Sequence, residues 1–220
     1  MQTLRKRLAE ICRRVAAKEF VSAYDGNISA RAGENQILIT PSGKPKGEVK
    51  PEDFLLIDLN GRLLEGEGKI STESKIHLLA YNHRQEINGV VHAHPLYATT
   101  LATTNIDVNQ PLFAEVLLIL GKIAKCEYGT PSTDEVPDSL LPYIDYAFAF
   151  LLGNHGAMTI SGTVEDAYYK MEKLESYSRL IYNLELLGNK KTIPEEKVKL
   201  LYSIAESTYG IKIAERNKII

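Results

Sequence analysis

Three histidines of this chain are spaced so that they could bind one metal ion. His92 and His94 are two residues apart at the end of an apolar run that begins at Gly89, and residues two apart in an extended strand point to the same face. His155 follows a second apolar run, residues 147–152, in a glycine-flanked turn. His92 and His94 alone could equally be two polar surface residues. The third histidine favours a catalytic zinc site, because three imidazole ligands leave one position for water or substrate.

Glu73 lies at the predicted start of a helix and is a candidate for moving a proton. An acid at this position also complements the positive end of the helix dipole, so the sequence alone leaves a structural role open. His77 follows four residues later on the same helical face, where it could ligate or orient a partner, although packing or support of a ligand is more common there. We leave His77 and His83 outside the predicted metal site.

Three short turns rich in hydroxyl groups, asparagine and glycine could bind an anion without a lysine. They occupy residues 26–29, 40–43 and 71–73. Backbone N–H groups and hydroxyls at such turns and at helix starts are typical phosphate ligands. Each turn by itself is a common loop, so none of them alone identifies the site.

Short apolar runs alternate with amphipathic segments along the chain, which predicts an α/β fold. Helices are predicted over residues 3–20, 72–83, 164–187 and 194–205. Strands are predicted over residues 37–40, 54–57, 89–94 and 147–152. We expect Thr163 to cap the long helix and Gly188 to end it. With no repeat or linker, the prediction is a single three-layer domain over residues 1–220, with a mostly antiparallel central sheet flanked by helices.

The composition argues against several classes of protein. The chain has 220 residues, of which 44% are hydrophobic, enough for one core without disulfides or metals. Its formal net charge of −2 lacks the positive excess of nucleic-acid-binding proteins. No apolar run would serve as a signal-peptide core or cross a bilayer, and Cys12 and Cys126 have no metal or redox spacing. We therefore expect a cytoplasmic protein with reduced thiols that binds neither nucleic acid nor membrane.

Together, these motifs resemble those of the class II aldolase and adducin head family. The match covers nearly the whole chain, in the family's order, at residues 26–29, 40–43, 71–73, 92–95, 154–156 and 209–210. The resemblance implies zinc on His92, His94 and His155, Glu73 as the acid/base, and a phosphate site. The residues that it implies for phosphate binding are Asn27, Ser42, Gly43, Ser71 and Thr72. It also implies a four-fold symmetric homotetramer with active sites at subunit interfaces.

The activity implied by the resemblance is metal-dependent cleavage of a ketose 1-phosphate, such as L-fuculose 1-phosphate. The products would be dihydroxyacetone phosphate and an aldehyde such as L-lactaldehyde. A divalent ion would act as the Lewis acid, so no Schiff-base lysine is needed, and Glu73 would need a pKa near neutrality. Tyr209 is implied to reach the active site of a neighbouring subunit and donate a proton to the oxygen derived from the aldehyde.

Alternative functions remain within the same family. A ribulose-phosphate 4-epimerase and a methylthioribulose-phosphate dehydratase use similar parts, although Glu73 and Tyr209 favour the aldolase. A non-catalytic binding head like that of adducin predicts missing histidines, and none is missing here. One departure from the aldolases is Phe113, where they carry a tyrosine, and it leaves the aldehyde side of the pocket undetermined.

Overall fold

The computed structural model describes all 220 residues, and its strands form one eight-stranded sheet. The strands are β1 (Asn27–Gly33), β2 (Gln36–Ile39), β3 (Leu55–Asp58), β4 (Leu63–Glu65), β5 (Gly89–Ala93), β6 (Ile123–Cys126), β7 (Ala149–Leu152) and β8 (Gly156–Ser161). Their order across the sheet is β4-β3-β2-β1-β5-β8-β7-β6. Only the edge pair of β6 and β7 is parallel, and the other neighbours are antiparallel.

Helices cover both faces of this sheet. They are α1 (Gln2–Ala17), α2 (Ser74–His83), α3 (Leu96–Ala102), α4 (Ala114–Ile119), α5 (Glu135–Leu140), α6 (Val164–Leu187) and α7 (Glu195–Tyr209). The larger apolar cluster packs α1, α3 and α6 on one face, and the second cluster packs α2 and α5 on the other. The predicted three-layer fold with a mostly antiparallel sheet is therefore confirmed. No helix is both long enough and apolar enough to cross a membrane.

The alternation of side chains along β5 decides where His92 points. Val90 packs in the cluster that contains α2 and α5, whereas Val91 and Ala93 pack in the cluster of α1 and α6. Successive residues of a strand point to opposite faces, so His92 lies on the face of Val90. This is the face covered by α2, which Glu73 immediately precedes.

The helix predictions are confirmed to within a few residues, and the caps of the long helix are where they are expected. Thr163 Oγ1 accepts a hydrogen bond from the Asp166 backbone N–H at 3.0 Å, and Gly188 ends α6 in the left-handed region. The pattern of apolar residues does not predict β1 or β8, although both strands lie in the centre of the sheet. Their sequences, NISARAG and GAMTIS, contain small and polar residues with little strand propensity.

Candidate metal centre

Four side chains converge at the end of β5. The ligand atoms of Glu73, His92, His94 and His155 all lie within 4.8 Å of one another. The Nε2 atoms of His92 and His94 are 3.3 Å apart, and His155 Nε2 lies 2.9 Å from Glu73 Oε1. The three imidazole rings meet edge to face, with their centroids 5.0 to 5.2 Å apart. The structure thus brings together the three predicted ligands and the predicted acid/base.

Backbone geometry holds the second and third histidines close together. His94 lies one residue beyond the end of β5, where its backbone N–H donates to Phe20 O at 2.8 Å. His155 ends the three-residue turn between β7 and β8, in which Asn154 has a φ of +51°. A Cβ atom on Gly156 would lie 2.4 Å from the His94 ring. Only glycine at this position allows the His94 imidazole to sit against the start of β8.

The hydrogen bonds around His92 and His94 fit a divalent metal ion. His92 Nδ1 lies 2.9 Å from Ala157 O, which can only accept, so Nδ1 carries the proton and the neutral ring has a lone pair on Nε2. His94 Nδ1 faces Asp25 Oδ2 at 3.4 Å, which favours the same tautomer. Two lone pairs 3.3 Å apart repel each other unless a cation lies between them. His155 Nδ1 is buried without a partner, so no protein acceptor fixes the proton on that nitrogen.

Glu73 is half-buried and hydrogen bonded on both carboxylate oxygens. Asn27 Nδ2 donates to Oε2 at 2.9 Å, and His155 Nε2 lies next to Oε1. Burial by itself raises the pKa of Glu73, but the hydrogen bond from His155 and the nearby His92 imidazole outweigh it and hold the pKa well below its usual range. This direction is opposite to the near-neutral pKa expected from the sequence. An imidazole that binds a metal through Nε2 can no longer donate from that atom, whereas the positive charge of a bound ion would itself favour the ionised carboxylate.

A polar cavity of about 250 Å³ opens beside the cluster. It brings together four of the five predicted phosphate ligands, and Glu73 and His94 also line it. The fifth, Thr72, does not line the cavity, and its hydroxyl is hydrogen bonded to Ser132 Oγ at 2.8 Å. The four that line it are Asn27, Ser42, Gly43 and Ser71.

Lys46 also lines this cavity, and the sequence analysis does not identify it. The residue is only 2% exposed, and its Nζ donates to Tyr24 O at 3.0 Å and to Lys44 O at 2.9 Å. Burial lowers the pKa of the ammonium group. An ammonium has three hydrogens, so one remains for a ligand. Lys46 thereby joins the two loops of the cavity and brings a cation to a site that the sequence predicts to have none.

A larger cavity of about 1090 Å³ lies on the other side of His94. Residues from α6, from the start of α3 and from the loop after α1 line it. Three of the lining side chains are apolar or aromatic and exposed: Leu96, Ile119 and Tyr169. Lys173, also in the wall, holds its Nζ 5.4 Å from the centre of the Phe113 ring. Phe113, where this chain departs from the aldolases, therefore does not line the larger cavity itself but lies next to Lys173 in its wall.

Tyr209 is not brought to the cluster within this chain. It is the last residue of α7, it is 69% exposed, and it lines neither cavity. Its predicted role requires the tail of another subunit.

Comparison with known proteins identifies one family. The description of that family is Class II Aldolase and Adducin N-terminal domain, and its profile matches residues 6–182. The chain is 29% identical to the 5-deoxy-D-ribulose 1-phosphate aldolase of Bacillus thuringiensis over 91% of this chain and 94% of that protein. It is 33% identical to an L-fuculose phosphate aldolase of Methanococcus maripaludis over 79% of this chain and 93% of that protein. It is 32% identical to the 3-oxo-tetronate 4-phosphate decarboxylase of Haemophilus influenzae over 73% and 78% of the two chains.

Solved structures give the same result. YgbL of Klebsiella pneumoniae, whose activity is given as aldolase, epimerase or decarboxylase, superposes with a TM-score of 0.84 at 27% identity, covering 91% of this chain and 98% of that chain. An L-fuculose 1-phosphate aldolase superposes with a TM-score of 0.79 at 27% identity, covering 90% and 94%. The similarity therefore extends over the sheet and the helices that position the cluster.

Proposed function

Since this chain belongs to the class II aldolase and adducin N-terminal domain family and is an enzyme of the class II aldolase type, we propose that it cleaves a ketose 1-phosphate. The products are dihydroxyacetone phosphate and an aldehyde, as in the cleavage of L-fuculose 1-phosphate to L-lactaldehyde. The observation that carries the proposal is the convergence of three imidazoles and Glu73 beside a small polar cavity with a buried lysine. This arrangement suits a phosphate at one end of the substrate and a metal at its carbonyl.

The proposed metal is Zn²⁺, held by His92, His94 and His155, because three neutral imidazoles and no thiolate are a typical ligand set for catalytic zinc. A divalent ion held by these residues would supply a Lewis acid for the developing negative charge of the substrate. The phosphate occupies the 250 Å³ cavity. Asn27, Ser42 and Ser71 donate hydrogen bonds there, and Lys46 supplies positive charge.

Cleavage requires two proton movements on opposite sides of the breaking carbon–carbon bond. The hydroxyl on the aldehyde-forming carbon loses its proton as that bond breaks, and the bonding electrons move toward the carbonyl of the phosphate-bearing fragment. We assign the proton acceptor to the phenolate of Tyr209 of a neighbouring subunit, and the phenol that forms returns the proton in the addition direction. Glu73, which takes up a proton from solvent before each cleavage, then protonates the carbon of dihydroxyacetone phosphate, because its carboxylate lies between the proposed metal ligands and the phosphate cavity.

A homotetramer with active sites at subunit interfaces is part of the proposal. The rim of the larger cavity exposes Leu96 and Tyr169, and α7 exposes Leu200, Ile204 and Tyr209. Apolar side chains that are exposed together typically mark an interaction surface. A second copy of the chain that covers this rim would bring its own tail to the aldehyde side. The cytoplasm is the proposed location.

Other activities of the family remain as alternatives that the test must distinguish. The relatives of this chain include an aldolase and a decarboxylase of phosphorylated substrates. A ribulose-phosphate 4-epimerase and a methylthioribulose-phosphate dehydratase also use a related site. A purely binding role, like that of adducin, does not require the four converging ligand atoms.

A substrate panel tests the proposed function. The purified protein is loaded with Zn²⁺, Co²⁺ or Mn²⁺ and incubated with L-fuculose 1-phosphate, 5-deoxy-D-ribulose 1-phosphate, L-rhamnulose 1-phosphate, L-ribulose 5-phosphate, methylthioribulose 1-phosphate and 3-oxo-tetronate 4-phosphate. Nuclear magnetic resonance identifies the products. We expect dihydroxyacetone phosphate and an aldehyde from at least one ketose 1-phosphate. Carbon dioxide from the tetronate, an epimer or a dehydrated product, without any dihydroxyacetone phosphate, would assign a different reaction.

A further inference from the structure

His77 is fully buried next to the catalytic cluster, and the proposed mechanism does not use it. It lies on α2, one turn after Glu73, and none of its surface is exposed. Both ring nitrogens are hydrogen bonded at 2.6 Å: Nδ1 with Ser29 Oγ, and Nε2 with Asn27 Oδ1. Ser29 Oγ is also 2.8 Å from Tyr81 OH. Two strong polar contacts on a fully buried imidazole call for a physical explanation.

The Glu73 carboxylate determines the direction of each hydrogen bond in the series from Asn27 to Tyr81. An ionised carboxylate only accepts, so the group of Asn27 that faces it at 2.9 Å is the Nδ2 amide nitrogen. Asn27 Oδ1 therefore faces His77, and an amide oxygen also only accepts. His77 Nε2 must carry the proton, which leaves Nδ1 of the neutral ring to accept from Ser29. The Ser29 hydroxyl is then free to accept from Tyr81.

The ring is suited to remain in this single state. Burial lowers the pKa of His77 to about 3, so the imidazole is neutral over the physiological range. Ser29 and Tyr81 are also buried, so no water competes for these hydrogen bonds. A neutral histidine with one defined tautomer is a rigid donor toward Asn27.

We propose that His77 is a positioning residue for the reaction, which acts through Asn27 on both Glu73 and the phosphate cavity. The inference rests on the proposed function. With Oδ1 held by His77, the amide nitrogen of Asn27 faces Glu73 Oε2 and lies 3.3 Å from Ser71 Oγ. Without His77 the amide can rotate and place its oxygen against the carboxylate. Repulsion between these two acceptors would move Glu73 away from the carbon that it protonates and remove a donor from the cavity.

Two substitutions of the same residue separate positioning from packing. In His77→Gln the longer side chain can place an amide N–H near the position of Nε2, whereas in His77→Asn the shorter side chain cannot reach Asn27. We expect His77→Asn to lower kcat by about 10- to 100-fold, the usual effect of losing a partner that orients a catalytic group, with metal content unchanged. His77→Gln should recover most of that loss. Equal losses in the two variants would overturn the proposal.

A double-mutant cycle with Asn27→Ala tests the route of the effect. If His77 acts through Asn27, adding His77→Asn to Asn27→Ala causes no further loss of kcat/KM. Losses that multiply would show that His77 acts by another route and would overturn the proposal. His83→Gln is the matched control on the same helix. The His83 side chain is partly exposed, and its charged neighbour is Asp145, at 3.8 Å. We expect it to leave kcat/KM unchanged.

One measurement keeps this inference separate from the proposed function. Nitrogen-15 imidazole spectra of the metal-loaded wild-type protein report the tautomer of His77 without any turnover. A neutral ring protonated on Nε2 between about pH 6 and 8 is the expected result, and a ring protonated on Nδ1 would overturn the proposal. A wild-type protein that is inert on every sugar phosphate would overturn the proposed function alone, and the tautomer would still decide the role of His77.

Discussion

The two cavities that meet at His94 differ in size, in lining and in how much of each is supplied by one chain. The smaller cavity, about 250 Å³, is polar, and its groups are held by hydrogen bonds from α2, from β1 and from Lys46. The larger cavity, about 1090 Å³, is rimmed by exposed apolar side chains such as Leu96 and Tyr169. The residue expected to act in it, Tyr209, lies elsewhere in this chain.

This difference indicates that the two cavities hold the two halves of the substrate in different ways. Asn27 and Lys46, two of the groups proposed to hold the phosphate-bearing half of the substrate, are already positioned by buried contacts within the subunit. In the proposed homotetramer, the aldehyde half faces a surface that a second copy completes. Substitutions on the two sides should therefore have different signatures: binding and proton exchange on one side, cleavage and aldehyde preference on the other.

The proposed metal ligands lie where the two cavities meet at His94, so their loss should have the largest effect. We expect His155→Ala to lose stoichiometric metal after dialysis against a chelator, while the protein still folds. Cleavage should fall by about 10³-fold or more, since a Lewis acid lowers the activation barrier by several kcal/mol. Elemental analysis and turnover measure the two effects. Substitution of the partly exposed His83 by alanine is the control, and retention of metal by His155→Ala would place the ion elsewhere.

Glu73→Gln tests the reaction at the phosphate side. The variant should keep its metal and its affinity for dihydroxyacetone phosphate, but lose about 10²- to 10⁴-fold in turnover, which is the usual contribution of a general acid/base. Exchange of the dihydroxyacetone phosphate proton with deuterated solvent should fall in parallel. Unchanged exchange would reduce Glu73 to a side chain that only complements the start of α2.

Tyr209→Phe tests the opposite side. We expect cleavage to fall by about 10²-fold, because the phenol would move the proton of the aldehyde-derived hydroxyl. Metal content, oligomer size and proton exchange of dihydroxyacetone phosphate should be largely intact, since exchange needs only the metal and Glu73. A variant that loses exchange as completely as cleavage would show that the two cavities do not act separately.

Substitution of Lys46 tests whether its positive charge helps to bind the phosphate. Lys46→Met removes the ammonium with little change in volume, and we expect KM for a phosphorylated substrate to rise by about 10- to 100-fold, equivalent to losing one charge-assisted hydrogen bond. KM for the unphosphorylated sugar should change little. Lys44→Met is the matched control, because the Lys44 side chain pairs with Asp53 at 2.5 Å and does not line the cavity. Equal increases for both sugars would indicate a general loss of structure.

The sequence predicts these parts unequally, for physical reasons. His92 and His94 are readable because a strand puts residues two apart on one face, and His155 because glycines surround it. Lys46 is one of several lysines in its segment, and only packing against the backbone of Tyr24, far away in the chain, distinguishes it. The pKa of Glu73 depends on imidazoles that meet it through space, so the sequence could not give its direction.

The strands show the same limitation. The pattern of apolar residues predicts β5 but not β1 and β8, which pair with β5 on either side. Gly156 at the start of β8 allows close packing of the His94 ring, just as Gly89 in β5 allows the start of α6 to approach. Such a requirement comes from neighbours in space and leaves no periodic pattern in the chain.

Phe113→Tyr should have the smallest effect, and it tests what the larger cavity selects. Phe113 is 38% exposed at the start of α4, and the Lys173 ammonium lies over its ring. A hydroxyl there would add one hydrogen-bonding group on the aldehyde side without touching the metal or the phosphate cavity. We expect the ratio of kcat/KM values for L-lactaldehyde and D-lactaldehyde in the addition direction to change by several-fold, since a single neutral hydrogen bond contributes about 1 kcal/mol. Metal content and proton exchange should match those of the wild type, so a change in exchange rather than in aldehyde preference would assign Phe113 to the phosphate side.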